Sequence, residues 1–192
     1  YRRKIGQAAA ILLAFITVAG NSHVQAAVKE FTTKIGELMG FSKDLSAYTE
    51  VINQVQTKSG ISLTINEVIL DNYSLIVSVK PDYEEKKKES LYLWINDEKT
   101  LINGKRYQSF SSTTRLMDLD SYTKYEMDTE MVLMQEYDGV ELPAGETEIH
   151  LVLDVGSSAP ISEKNRSENI TEFVYDFTIT AEQLKEQTIR KK

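Results

Sequence analysis

The sequence predicts a mainly β chain: an Ig-like antiparallel β-sandwich preceded by an N-terminal apolar helix and a short amphipathic helix. Three observations carry this reading. From residue 48 onward, apolar residues recur at every second position between turn-forming residues, and no helical stretch separates the runs. Residues 61–80, ISLTINEVILDNYSLIVSVK, read as one long β-hairpin. At the start, an uncharged apolar run follows three basic residues. Seven or more short strands with turns between them favour a Greek-key sandwich over a barrel, and periodicity leaves the strand order open.

In chain order, Arg2, Arg3 and Lys4 precede residues 5–20, IGQAAAILLAFITVAG. As a helix this run spans about 24 Å, short of the roughly 30 Å hydrocarbon core of a bilayer. Extension through Asn21, Ser22 and His23 to Val28 supplies the rest. One reading is a signal peptide with Val24-Gln25-Ala26 as its cleavage site. The other is a retained single-pass anchor over residues 1–27, embedded through residues 5–27, and that is the expectation adopted. Tyr1 is not a start methionine, which favours an internal anchor with a cytoplasmic segment upstream. The basic flank then stays inside and everything after it lies outside the cell membrane. A buried core helix is the third reading, and it leaves the basic cluster unexplained.

Residues 26–39 have helical spacing: Val28, Phe31, Ile35 and Leu38 share a face, with Lys29, Glu30, Lys34 and Glu37 between them. Gly40 suits the position just past the helix end. The charges are mixed rather than basic, so this amphipathic helix, with its linker occupying residues 28–44, is expected to pack on the β domain through Phe31, Ile35 and Leu38.

The β domain is assigned to residues 45–180. A first strand covers 48–57, and Lys58, Ser59 and Gly60 turn the chain into the hairpin. Asp71-Asn72 is expected to form a primed two-residue turn, placing Leu70 opposite Tyr73 and Val68 opposite Leu75. Apolar residues are odd-numbered at Ile61, Leu63 and Ile65 but even-numbered at Val68 and Leu70. A strand cannot change its core face without an irregularity, so a β-bulge is expected near Asn66-Glu67, returning Ile65 to the side of Val77. Pro81 is expected to stop the second strand, and the charge run 82–89 reads as a solvated loop. Strand 91–95 sets Trp94 opposite Leu91, Leu93 and Ile95, and Asn103-Gly104 marks a tight hairpin. Residues 109–114 form a polar loop or edge. Tyr125, Met127, Met131 and Leu133 mark a half-buried strand. Residues 143–145 turn. Ile149, Leu151, Leu153 and Val155 mark the next strand, and residues 156–167 form a loop. Phe173, Tyr175, Phe177 and Ile179 mark the last strand. Thr180 and Gln183 suggest the capping box of a short helix within residues 181–192.

Composition narrows the function. The chain of 192 residues has no cysteine, which removes disulfides, thiolate metal sites and cysteine nucleophiles. Its net charge is −7, and beyond the N-terminal basic cluster 19 basic residues face 29 acidic ones. An acidic body disfavours nucleic acid as a partner. The two histidines, His23 and His150, lack spaced partners, so zinc and a Ser-His-Asp triad are not expected. Asp118, Asp120 and Asp128 give an incomplete calcium pattern, better read as a solvated acidic loop. Gly139 and Gly145 lack a phosphate-loop spacing. Trp94, Tyr92, Tyr107 and Tyr122 could line a recognition surface, against the simpler reading that they pack sandwich edges. No catalytic, cofactor or metal residue is assigned, and the chain is not expected to be an enzyme.

Residues 44–54, DLSAYTEVINQ, followed by residues 60–71, GISLTINEVILD, carry a family resemblance. The chain resembles the uncharacterised extracytoplasmic domain of single-pass membrane proteins in low-GC Gram-positive bacteria, some of them described as anti-sigma factors. The basic-apolar start and the closing Phe177-Thr178-Ile179-Thr180 fit that pattern as well. The resemblance implies an extracytoplasmic sensory or interaction domain of a membrane-anchored regulator, with a sigma factor held by a segment upstream of Tyr1 and an unknown extracellular ligand or protein. A surface binding or adhesion module without a signalling role is the alternative. The acceptor triplets at Asn72, Asn165 and Asn169 would be coincidence in a bacterial protein.

Overall fold

The computed structural model describes residues 22–39, 49–83, 91–116, 130–142, 145–157 and 170–180. The predicted anchor run 5–20, the Gly40 cap, the acidic loop with Asp118, Asp120 and Asp128, Tyr122, and the helix after Thr180 lie outside them. Among the described residues one helix, α1 (Ser22–Met39), is followed by nine strands. These are β1 (Thr49–Lys58), β2 (Ile61–Leu70), β3 (Ser74–Tyr83), β4 (Leu91–Ile95), β5 (Leu101–Ile102), β6 (Ser109–Leu116), β7 (Met131–Tyr137), β8 (Glu146–Ser157) and β9 (Ile170–Thr180).

The strands form two antiparallel sheets that share one apolar core. Sheet A runs β1-β2-β3-β7-β6. In sheet B, β8 is central: β9 pairs along one edge, while β4 and β5 pair in succession along the other. The inward face of sheet A carries Ile61, Leu63, Ile65, Val68, Leu70, Leu75, Val77, Met131 and Leu133, all buried. They meet Leu93, Ile95, Ile149, Leu151, Leu153, Phe173, Tyr175 and Phe177 from sheet B. Inside the core a hydrogen bond ties the layers, the buried Tyr175 hydroxyl donating to the Leu63 carbonyl at 2.7 Å.

The expected bulge is present. Ile65 pairs with Val79 and Val68 with Val77, so Asn66 and Glu67 together oppose Ser78 alone. A second irregularity lies beside it in β1, where Val51 pairs with Glu67 and Gln54 with Ile65, and Asn53 there takes φ +50°. The hairpin turn differs from expectation. Leu70 pairs with Leu75 and Val68 with Val77, not with Tyr73 and Leu75. The Asp71 carboxylate accepts the N–H groups of Tyr73 (2.8 Å) and Ser74 (2.7 Å), and the Asp71 N–H donates to the Ser74 carbonyl at 3.0 Å. This side-chain-closed turn replaces the primed one. The register moves by two residues, so every side chain keeps its face. Primed geometry instead closes the β1–β2 turn, where Ser59 (φ +53°) and Gly60 (φ +75°) join Lys58 to Ile61, and the turn at Asn103 (φ +51°) and Gly104 (φ +70°).

Pro81 does not end β3, which continues to Tyr83. The described pairing of β3 with β7 stops at Val79–Met131, and a proline is tolerated where a ladder bond is not required. Strand β7 alternates as expected from Leu133 to Tyr137, and the expected partners Tyr125 and Met127 lie outside the described residues. Val132, however, is buried between buried Met131 and Leu133. That pattern requires cover on both faces. On the outward face of sheet A, Ile69, Ile76, Ser78 and Val132 are indeed fully buried, while Lys80 on the same face is exposed. Among the described elements, helix α1 is placed to contribute to that cover. It lies against β1, and its buried Phe31 and Ile35 belong to the same apolar cluster as Ile69, Ile76 and Val132. The helix begins at Ser22, four residues earlier than the spacing predicts.

Both short strands of sheet B need help. Between β4 and β5 the chain leaves the ladder, and the Thr100 hydroxyl fills the gap, accepting from the Val152 N–H at 3.1 Å and donating to the Val152 carbonyl at 3.5 Å. At the opposite edge, β9 is closed by side chains of β1. Gln54 donates to the Asp176 carbonyl (3.3 Å), Gln56 to that of Val174, and Lys58 to that of Glu172 (2.8 Å). The Gln56 carbonyl also accepts the Val174 N–H at 3.4 Å. Residues 54, 56 and 58 share one strand face, so a two-residue period alone sets this ladder of caps on an otherwise open edge.

Candidate functional site

The bulge in β2 turns two consecutive polar side chains, Asn66 and Glu67, toward the outward face of sheet A, where Ser78 from β3 and Glu130 at the start of β7 also point. The Asn66 amide donates to Glu130 Oε1 at 2.6 Å, and the Ser78 hydroxyl donates to the same oxygen. Glu67 Oε2 is buried without a hydrogen-bond partner. Burial foremost, and then the charge on Glu130, push the Glu67 carboxyl up to about 7, with the Ser78 hydroxyl partly offsetting them. A carboxyl that holds its proton at neutral pH can donate a hydrogen bond as well as accept one. The cluster sits in the same sheet face that α1 covers, and Glu67 pairs with Val51 of β1, the strand alongside the helix.

The outward face of sheet B contrasts with this. Tyr92 and Trp94 lie on it, two residues apart on β4, with Tyr92 exposed at 60 %. Tyr92 pairs with Gly156, which pairs with Ile170, itself 44 % exposed. The Trp94 ring lies across Gly156: a Cβ there would stand 3.3 Å from ring atoms Cη2 and Cζ3. In the next row Trp94 pairs with Asp154, which accepts the Asn96 amide at 2.8 Å, and Asp154 pairs with Glu172, which is bound by Lys99.

Tyr107 does not join this surface. It packs on the core and meets Tyr137 edge-to-face, centroids 6.3 Å apart. His150 has a partner that the sequence spacing does not reveal: it sits directly across the ladder from Asp176, Nδ1 to Oδ1 2.6 Å, at an exposed position. The side chain of His23 lies outside the described residues. Asn72 donates to the Val140 carbonyl at 3.0 Å, so its amide is engaged in the fold. Gly139 (φ +159°) and Gly145 (φ +105°) flank the stretch leading into β8, and no phosphate-type loop is formed among the described residues. Among the described residues no group of three or more His, Asp or Glu could hold a metal ion, and no helix is long and apolar enough to cross a membrane.

Sequence reasoning missed the Glu67–Glu130 pair. The available signal was an acidic residue beside three successive apolar residues, Val68, Ile69 and Leu70, a run that implies burial of both strand faces.

No curated protein matches the chain. Among solved structures, "The crystal structure of the conserved domain protein from Bacillus anthracis" is similar at 13 % identity and a TM-score of 0.41, over 73 % of this chain. The chain spans 44 % of the length of that one. Residues 1–81, running from the N-terminus through most of β3, match a family described as "Domain of unknown function (DUF4179)".

Proposed function

We propose that this chain is the outward-facing sensory or interaction domain of a membrane-anchored regulator of the anti-sigma-factor kind, built as an Ig-like β-sandwich. The single observation that carries the proposal is that α1 lies against β1 of sheet A and buries Phe31 and Ile35 in the apolar cluster of the β domain. The helix follows directly on the basic-apolar segment, the expected anchor. An event that reshapes sheet A therefore has a mechanical route toward the membrane. The Ig-like reading is supported by strand order: β2-β3-β7-β6 against β4-β8-β9 has the connectivity of a constant-type Ig sandwich, with β1 added beside the first strand.

A second reading, a surface binding module with no signalling role, is favoured by the exposed Tyr92, the Trp94 ring over Gly156 and the exposed Ile170 on one sheet face. The test uses the full-length gene product in membranes. Its N-terminus is tagged, detergent extracts are captured, and bound proteins are identified by mass spectrometry. A stoichiometric sigma factor, lost when any cytoplasmic segment is deleted, is the expected result. Its absence would leave the surface-binding reading in front.

A further inference from the structure

The outward face of sheet A gathers buried Ser78 and half-buried Asn66, Glu67 and Glu130 beside fully buried Ile69, Ile76 and Val132. Two irregularities, one in β1 and one in β2, converge on this spot, and the β2 bulge turns both Asn66 and Glu67 to one side of the sheet. Glu130 Oε1 already accepts two hydrogen bonds, and Glu67 Oε2 has none. A proton on Glu67 removes the repulsion that two ionised carboxylates in one partly desolvated cluster exert on each other, and allows the carboxyl to donate as well as accept.

The groups facing Glu67 can be named element by element. Glu130 comes from the residue just before β7 and Ser78 from β3, with Lys80 one step further on the same face and exposed. Strand β1 contributes Val51, directly opposite, and Glu50 lies on the other face. The charged residues of α1, Lys29, Glu30, Lys34 and Glu37, are exposed, and Lys34 pairs with Glu30 at 3.0 Å.

We propose that the Glu67–Glu130 pair holds one proton, and that its release as pH rises loosens the bulged part of sheet A, where β1 lies against α1. The protonation half stands on the cluster alone, and the consequence for α1 rests on the sensory reading above. The sign follows from the raised carboxyl: Glu67 binds its proton more tightly in the folded chain than in the unfolded one. The associated stability is therefore fully present below the ordinary carboxylate range and is lost as pH climbs through about 7.

The test is a carbon-detected NMR titration of the glutamate carboxyls in the full chain, in detergent, for wild type, Glu67→Gln and Glu130→Gln. Amide-exchange protection factors across residues 31–35 are measured over the same pH range. The Glu67 midpoint is expected near 7 in wild type and lower in Glu130→Gln. Helix protection is expected to fall several-fold across that transition in wild type and to stay level in Glu67→Gln, where the amide imitates the protonated acid. A Glu67 midpoint in the ordinary carboxylate range overturns the proposal. A midpoint near 7 with pH-independent helix protection overturns the link to α1, and a sigma factor absent from the pull-down leaves the titration unaffected. Should Glu67→Gln fail to fold, Ser78→Ala serves instead, since loss of its hydroxyl should raise the Glu67 midpoint further; an unchanged midpoint contradicts the assignment.

Discussion

The two sheets turn opposite kinds of face outward. Sheet A buries Ile69, Ile76, Ser78 and Val132 on its outer side, beneath α1 and beside the Glu67–Glu130 cluster. Sheet B leaves Tyr92, Trp94 and Ile170 on its outer side, one row from the hydrogen-bonded Asp154 and the Lys99–Glu172 pair. The same two-residue period built both, so the difference lies in what each outer position carries. Sheet A repeats apolar residues on both faces and therefore needs a second cover. In sheet B the central β8 also buries its outward Val152 and Asp154, but β9 alternates from Phe173 to Ile179 and β4 exposes Tyr92, so the outer residues of these flanking strands meet solvent. The first face is suited to transmitting a change of shape, the second to meeting a ligand.

The sharpest way to break this contrast is to truncate one residue on each face. Ile69→Ala should cost about 3 kcal/mol in chemical denaturation, the usual scale for emptying a fully buried aliphatic site. Ile35→Ala, also fully buried, should fall in the same range if the helix belongs to the folded unit. Loss of less than about 0.5 kcal/mol at either position, the scale of surface substitutions, would dissolve the distinction between the faces.

Next in size is the sealed edge. Gln56→Ala removes the amide that both donates to and accepts from Val174 of β9. It should lower stability by about 1 kcal/mol, on the scale of a lost hydrogen bond. It should also raise concentration-dependent association, because an unpaired strand edge is exposed. Light scattering across a dilution series checks this, and an unchanged monomer fraction would mean that the cap is dispensable.

The smallest effect is expected on the open face of sheet B. Tyr92→Ala should change stability by less than about 0.5 kcal/mol, since the ring is 60 % exposed. Gly156→Ala sharpens the point: its new methyl would crowd Trp94 at 3.3 Å, shifting tryptophan fluorescence while the fold persists. An unchanged emission spectrum would place the ring elsewhere.

Much of the fold was legible because apolar phase is a local property. The slip between Ile65 and Val68 disclosed the bulge before any coordinate did, and the alternation from Phe173 to Ile179 marked β9. The hairpin turn was misread because Asp71 can close a turn with its carboxylate as well as enter a primed conformation, and composition does not distinguish the two. At Asn103-Gly104 the side-chain oxygen instead accepts the Glu148 N–H at 2.9 Å, and the glycine takes its positive φ freely, so the primed turn forms as expected. The carboxylate cluster was hidden for a different reason. Asn66 and Glu130 lie 64 positions apart, and only the lateral order β2-β3-β7 joins them. Strand order is what a periodicity cannot supply. His150 and Asp176 were hidden in the same way by the β8–β9 register.

The claim on which the rest depends is that α1 holds the outward face of sheet A. A double-mutant cycle between Ile35 and Ile69 tests it most directly, with unfolding free energies measured for wild type, Ile35→Ala, Ile69→Ala and the double variant. A coupling energy of at least about 0.5 kcal/mol is predicted, since both side chains belong to one buried cluster. Strict additivity, with α1 amides unprotected from exchange in wild type, would contradict a seated helix and remove the physical route from the sheet toward the N-terminal segment.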